Sequence, residues 1–123
     1  MRAALAIALL LLAPAARAQS LYDGAWTFLG IASCNPASDA VVRIQGNRMR
    51  YWESGCELSN PVPVNGLDAT LYDARCSGEG EEWQTRMMLM LTPEGTLLHV
   101  NRYNAQVLTA CPGGTTDQYS PTK

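Results

Sequence analysis

The sequence predicts an all-β fold: a small meander β-barrel of about seven antiparallel strands, held by two disulfides, Cys34–Cys111 and Cys56–Cys76. No stretch beyond residue 18 keeps an apolar period of about 3.6 residues over three turns, and turn signals recur roughly every eight to twelve residues. The four cysteines include no C-x-x-C pair, which predicts disulfides in an exported chain rather than a zinc site.

The first 18 residues have the pattern of a signal peptide. A positive start at Arg2 precedes an apolar run, and Ala16-Arg17-Ala18 is an A-x-A cleavage site. The run is too short to span a bilayer, so we expect no membrane insertion after cleavage. We therefore predict a periplasmic or secreted protein with one barrel domain over residues 19–114 and a flexible tail over 115–123.

The charge of the mature chain narrows the range of partners. Without Arg2 and Arg17, seven basic residues remain against eleven acidic ones, a net charge of −4. This sign opposes nucleic acid and anionic membranes, which bind proteins through Lys and Arg. We expect no cofactor, no metal and no catalytic residue, and we expect a monomer.

The first half of the chain provides three predicted strands. Residues 22–31 form an aromatic and apolar strand, and a loop over 33–39 follows. Residues 41–44 then pair with a strand that begins at residue 48, across the two-residue turn Gly46-Asn47. We interpret Ser54-Gly55 as a bulge that bends one long strand, residues 48–62, around a corner.

The second half begins with the strongest hairpin signal, Asn65-Gly66. It predicts that residue 64 faces residue 67 and that a strand runs to Cys76. Further strands follow at 83–91, 97–100 and 105–110.

Strand pairing favours one of the three possible disulfide connectivities. A bulge near Pro61 or Pro63 would place Cys56 opposite Cys76. With seven strands, the first and last run the same way, so their ends bring Cys34 near Cys111.

The same register predicts the contact surface. If Cys56 faces Cys76, then Glu53 approaches Glu79. The predicted binding surface consists of Trp52, Glu53, Glu79, Glu81, Trp83 and Arg86. We therefore predict a binding or inhibitor-type protein, whose partner at this surface is a protein or glycan of the cell envelope.

Other interpretations of this acidic surface stay open. The glutamates could pair with Arg48, Arg50 or Arg86 and simply cap the barrel. They could bind a cation, although the segment lacks the D-x-D-x-D-G pattern of calcium loops. Glu53 and Glu79 could instead be the acid/base pair of a small carbohydrate hydrolase. An envelope structural protein without a small ligand is a further alternative.

Three other features have a structural and a functional interpretation. Trp26, Trp52 and Trp83 are expected to fill the core, with a glycan-stacking surface as the alternative. The run 87–91 has no polar alternation, so either both faces of its strand are covered or one is an exposed apolar patch. His99 is the only histidine and cannot form a metal cluster alone.

Several motifs resemble those of known families. G-x-W at Gly24–Trp26, Y-W-E-S-x-C at 51–56 and C-x-G-E-G-E-x-W from Cys76 resemble small exported alphaproteobacterial proteins without an assigned activity, which implies compartment and fold. Gly24, Trp26 and Cys34 are also similar to the first strand of lipocalin-like secreted metalloprotease inhibitors. That likeness implies that Arg86 or Arg102 stacks across Trp26 at the barrel end.

Overall fold

Eight antiparallel strands form a closed barrel in the computed structural model, which describes residues 20–113. Each strand pairs with the next along the chain, and the last pairs with the first, so that no strand edge is left unpaired. The strands are β1 Gly24–Thr27, β2 Val41–Gln45, β3 Arg48–Arg50, β4 Ser54–Pro63, β5 Ala69–Gly78, β6 Glu81–Leu91, β7 Leu97–Asn101 and β8 Ala105–Ala110. The predicted all-β barrel is therefore confirmed. The predicted signal peptide and the tail over 115–123 lie outside the described residues.

The eighth strand arises where a single bent strand was predicted. β3 and β4 are the two arms of a tight hairpin, with Met49 opposite Cys56 and Arg50 opposite Gly55. The backbone N–H of Tyr51 donates to the carbonyl oxygen of Ser54 (2.8 Å) and closes the turn. The predicted bulge at Ser54-Gly55 is wrong. The turn uses no positive φ, so it needs neither Gly nor Asn and leaves no signature in the sequence.

The β4–β5 hairpin contains the predicted bulge. Ser59 lies opposite Asp73 and Val62 opposite Leu71, so that two residues of β4 face one of β5 at this point. Cys56 then lies directly opposite Cys76, and the two form the predicted disulfide. The predicted turn at Asn65-Gly66 is present, because the N–H of Leu67 donates to the carbonyl oxygen of Val64 (3.3 Å), and the N–H of Val64 in turn donates to the carbonyl oxygen of Ala69 (3.0 Å).

The Cys34–Cys111 disulfide is also confirmed, but by a different route. With eight strands, β1 and β8 run in opposite directions, so strand direction does not bring the two cysteines together. Instead, the β1–β2 segment, which contains a short 3₁₀ helix at Ile31–Ser33, folds back over the outside of the barrel. There Cys34 packs with Cys111 against Ala25 and Val41 in a small apolar cluster separate from the main core.

Side chains fill the barrel interior, as an eight-stranded barrel requires. Trp26 is one of them, as predicted, and its indole N–H donates to the carbonyl oxygen of Tyr22 (3.0 Å). β6 buries Met87 and Leu89 in the core and leaves Met88 and Met90 half-buried on the other side. The main core cluster comprises Tyr22, Trp26, Val42, Ile44, Met49, Cys56, Leu58, Ala74, Cys76, Met87, Leu89, Leu97 and Leu108.

His99 points into this interior and is almost completely buried. Its Nε2 atom has no hydrogen-bond partner among residues 20–113. Burial lowers the pKa of His99 below its ordinary value, and a side-chain hydrogen bond with Gln106 opposes this only in part. Within the same residues, no helix is long and apolar enough to cross a membrane.

Candidate functional site

The β5–β6 turn positions the central residue of the candidate site. Gly78 pairs with Glu81, which leaves Glu79 and Gly80 as a two-residue loop with φ values of 51° and 77°. Positive φ at both positions is the geometry in which Asn-Gly and Asp-Gly are preferred. Here a glutamate occupies the first position, where a longer side chain is disfavoured.

A close backbone approach brings the neighbouring hairpin onto this turn. Ser54 pairs with Gly78, and a Cβ placed on Gly78 would lie 2.6 Å from the carbonyl oxygen of Glu53. Only glycine fits at that distance. The absence of a side chain at residue 78 therefore allows the β3–β4 turn to lie against β5, with Glu53 beside Glu79.

The Glu53 and Glu79 side chains meet in a hydrogen-bonding contact. This contact and the adjacent negative charge of Glu79 raise the pKa of Glu53 above its usual value, with a smaller contribution from the charge of Asp39. Both glutamates are exposed. Because two neighbouring carboxylates repel each other, Glu53 retains its proton to a higher pH than an isolated glutamate would.

An open pocket of about 250 Å³ surrounds the pair. Trp83 forms one side of it and is 42% exposed. Glu81 adds a third carboxylate. We call this pocket the acidic rim; it is lined by Glu53, Ser54, Gly78, Glu79, Glu81 and Trp83.

The structure brings four of the six predicted contact residues together, namely Glu53, Glu79, Glu81 and Trp83. Trp52 is half-buried in the β3–β4 turn and does not line this pocket. Arg86 lies opposite Asp73 and lines a different groove. No ion pair joins Arg48, Arg50 or Arg86 to a glutamate within residues 20–113, so the interpretation of the acidic segment as a salt-bridged cap has no support there.

Sequence reasoning missed the groove that Arg86 lines. It has a volume of about 600 Å³ and lies across β4, β5 and β6. Both acidic and basic side chains line it, including Glu57, Asp73 and Arg75. The only signal in the sequence is polar residues at alternate positions of three strands, which also describes an ordinary solvent-facing side.

The predicted stacking of an arginine across Trp26 is not found. Arg102 lies over the ring of Tyr103 instead, 5.6 Å from its centroid. Trp26 is enclosed in the core and bonded to Tyr22, so its indole face is not available at the barrel end.

The geometry limits the chemistry of the acidic rim. Glycosidases separate their two carboxyl groups by roughly 5 to 10 Å so that a sugar or water fits between them. Carboxyl groups in direct contact leave no such space. Among residues 20–113 no group of three or more His, Cys, Asp or Glu side chains is arranged to hold a metal ion. What the rim offers is negative charge beside an exposed indole, which suits an ammonium or guanidinium group.

Comparisons of the chain with protein-family models, with curated proteins and with solved structures find no match.

Proposed function

We propose that this protein is an exported binding protein of the inhibitor type that recognises a cationic group of its partner at the acidic rim. The observation that carries the proposal is the contact between the Glu53 and Glu79 carboxyl groups in an open pocket beside an exposed indole. A cation placed between the two carboxylates would remove their repulsion. Binding would also release the proton that Glu53 retains at low pH.

The two disulfides indicate an oxidising environment outside the cytoplasm. The finer location, periplasm or medium, is part of the proposal and is supported by the signal-peptide pattern of residues 1–18. In that setting, the candidate partners are envelope proteins with exposed Lys or Arg side chains and glycans that carry amino groups. Membership in the exported alphaproteobacterial group stays a prediction.

The hydrolase alternative has no specific observation in its favour. The Glu53 and Glu79 carboxyl groups lie within hydrogen-bonding distance of each other. The other side chains of the acidic rim supply a hydroxyl group, a third carboxylate and an indole. Binding uses all of these groups as they stand, and we therefore propose no catalytic step.

A titration with penta-lysine tests the proposal. We expect the oxidised protein to bind it at pH 7 and low ionic strength, as measured by calorimetry and by a change in indole fluorescence that Trp83→Phe abolishes. The double variant Glu53→Gln/Glu79→Gln should weaken binding several-fold, because it removes two of the three negative charges of the acidic rim. Binding should also weaken as the pH falls through the raised pKa of Glu53, since the protonated pair has less charge.

Glu94 provides the matched control, because it is exposed on the β6–β7 turn at the other end of the barrel. Glu94→Gln makes the same chemical change at a single residue and should leave the affinity unchanged. Equal affinities of the control and the double variant for penta-lysine would refute the acidic rim as the site.

A further inference from the structure

A second exposed feature lies next to the acidic rim. The segment Phe28–Ile31, which we call the apolar loop, leaves the end of β1 with three large apolar side chains in the solvent. Phe28 is 41% exposed, Leu29 68% and Ile31 58%. Single exposed apolar residues are ordinary on protein surfaces, but three within four consecutive positions are typical of an interaction site.

The fold holds the apolar loop in one conformation. Thr27 is buried, and its hydroxyl oxygen lies 2.6 Å from that of Ser33 and accepts the N–H of Leu29 (3.2 Å). The hydroxyl and the N–H of Ser33 both donate to the carbonyl oxygen of Gly30, at 2.7 and 3.0 Å. The next residue, Cys34, is joined by its disulfide to Cys111, which directly follows β8. A loop fixed in this way loses little conformational entropy when a partner binds.

The apolar loop and the acidic rim belong to the same end of the barrel. The N–H of Phe28 donates to the carbonyl oxygen of Ala40 (3.4 Å), so the loop begins beside the residue that follows Asp39. Asp39 is in turn close enough to Glu53 for its charge to raise the pKa of that carboxyl group. The β1–β2, β3–β4 and β5–β6 connections therefore lie at one end of the barrel, and Asp39 lies between the apolar loop and the carboxyl pair.

We propose that the apolar loop and the acidic rim form one contact surface for a cationic amphipathic segment of a partner protein, in which Leu or Phe side chains alternate with Lys or Arg. This inference rests on the proposed function and specifies its partner. The apolar side chains of such a segment would pack on Leu29 and Ile31, and its basic side chains would reach Glu53 and Glu79.

Charge argues against the two other occupants of an exposed apolar loop. An anionic lipid surface would bring its phosphates toward Asp39 and the rim carboxylates, which repel them. A second copy of the chain, docked through the same end by a two-fold axis, would place two acidic rims face to face. A basic and apolar segment complements both features at once.

The test uses two synthetic probes of equal length and charge: an 18-residue peptide in which leucine and lysine alternate, and a peptide in which every leucine is replaced by serine. We expect the oxidised protein to bind the leucine peptide about tenfold more tightly or better, because burying even part of two aliphatic side chains is worth that ratio. Leu29→Ser/Ile31→Ser should remove this preference and leave the affinity for the serine peptide unchanged. Leu67→Ser, an exposed leucine (54%) in the β4–β5 turn at the opposite end, is the matched control and should keep the preference.

The outcomes separate this inference from the proposed function. If Leu29→Ser/Ile31→Ser keeps the preference for the leucine peptide, the apolar loop is not part of the surface, while loss of binding in Glu53→Gln/Glu79→Gln still supports the acidic rim. If instead the carboxyl variant binds both peptides as the unmodified protein does, both proposals fail. Binding to phosphatidylcholine vesicles that Leu29→Ser/Ile31→Ser abolishes would identify a lipid surface as the occupant and overturn the inference.

Discussion

Replacing Glu79 by asparagine should make the protein more stable and weaken its binding of cations. Glu79 has φ 51° at the first position of a two-residue β-hairpin loop, followed by Gly80 with φ 77°. Glu79→Asn creates the Asn-Gly pair that this turn geometry favours. It also shortens the side chain and removes its charge, so that the contact with Glu53 is lost.

The expected gain follows from the backbone conformation. A residue with a Cβ in the left-handed region is destabilised by about 1 to 2 kcal/mol, and asparagine is the side chain that tolerates it best. We therefore expect Glu79→Asn to raise the free energy of unfolding by about 0.5 to 1 kcal/mol. Loss of the repulsion between the carboxyl groups acts in the same direction above the pKa of Glu53.

Urea unfolding of the oxidised protein measures the effect. With an m-value of about 1 to 2 kcal/mol/M for a domain of this size, the midpoint should rise by roughly 0.5 M. Glu53→Gln is the matched control, because it removes the same repulsion between two carboxylates without changing the backbone of the turn. An unchanged or lower midpoint for Glu79→Asn would refute the strain argument, and an equal rise in both variants would assign the whole effect to charge.

Three further predictions concern the scaffold. Replacing both cysteines of either disulfide by alanine should lower the free energy of unfolding, because the bonds close loops of 77 and 20 residues. The chain-entropy estimate of the loss is about 4.5 kcal/mol for Cys34–Cys111 and about 3.3 kcal/mol for Cys56–Cys76. An unchanged denaturation midpoint would contradict this. Because the pKa of His99 is lowered in the folded protein, the unfolded chain binds a proton at this residue more readily. The contribution of His99 to stability should therefore be fully present above its ordinary pKa of 6.5 and be lost as the pH falls through the lowered value. His99→Gln should remove this contribution from the pH dependence of unfolding. Thr27→Val, which keeps the shape and removes the hydroxyl group, should lower stability by about 1 to 2 kcal/mol, because Ser33 and the N–H of Leu29 lose their partner; a stability equal to that of the unmodified protein would show that these bonds do not hold the loop.

The sequence predicts those parts of the site whose positions are set by the pairing register of β4 and β5. Once Cys56 lies opposite Cys76, the alternation of paired strands places Ser54 opposite Gly78 two residues further on. The contact between Glu53 and Glu79 also depends on the β3–β4 turn, which lies against β5 because Gly78 has no side chain. The register of β4 and β5 requires one hairpin and one bulge, and both leave Asn, Gly or Pro in the sequence.

The errors share a physical origin in features without such signatures. Arg86 was grouped with Trp83, but the two are separated by an odd number of positions on one strand and so face opposite sides of the sheet. The β3–β4 turn has ordinary φ values, so the sequence there predicts a bulge in one long strand and not a turn. The turn adds an eighth strand, so that the first and last strands run in opposite directions and not in the same direction as predicted. The predicted disulfide pairing is nevertheless correct.

The position of the apolar loop could not be predicted for a different reason. It depends on how the β1–β2 segment folds back. The Cys34–Cys111 disulfide, whose cysteines are 77 residues apart in sequence, and the hydrogen bonds around Thr27 hold this segment in place. In the sequence, Phe28-Leu29-Gly30-Ile31 continues the apolar pattern of β1 and reads as more strand. Only the structure shows that β1 ends at Thr27 and leaves these side chains outside.

Three unfavourable features coincide at the acidic rim. Glu79 has a backbone conformation that asparagine would adopt with less strain, Gly78 must remain without a side chain, and two carboxyl groups are held in contact. Closing the β5–β6 hairpin requires none of them, because an ordinary Asn-Gly loop connects two strands without a carboxylate. Sites of this kind, where a stable alternative is available and unused, are typical of function rather than folding. The carboxyl contact in particular is unfavourable only while no cation lies beside it, and this is why a basic group of a partner is the simplest explanation for all three.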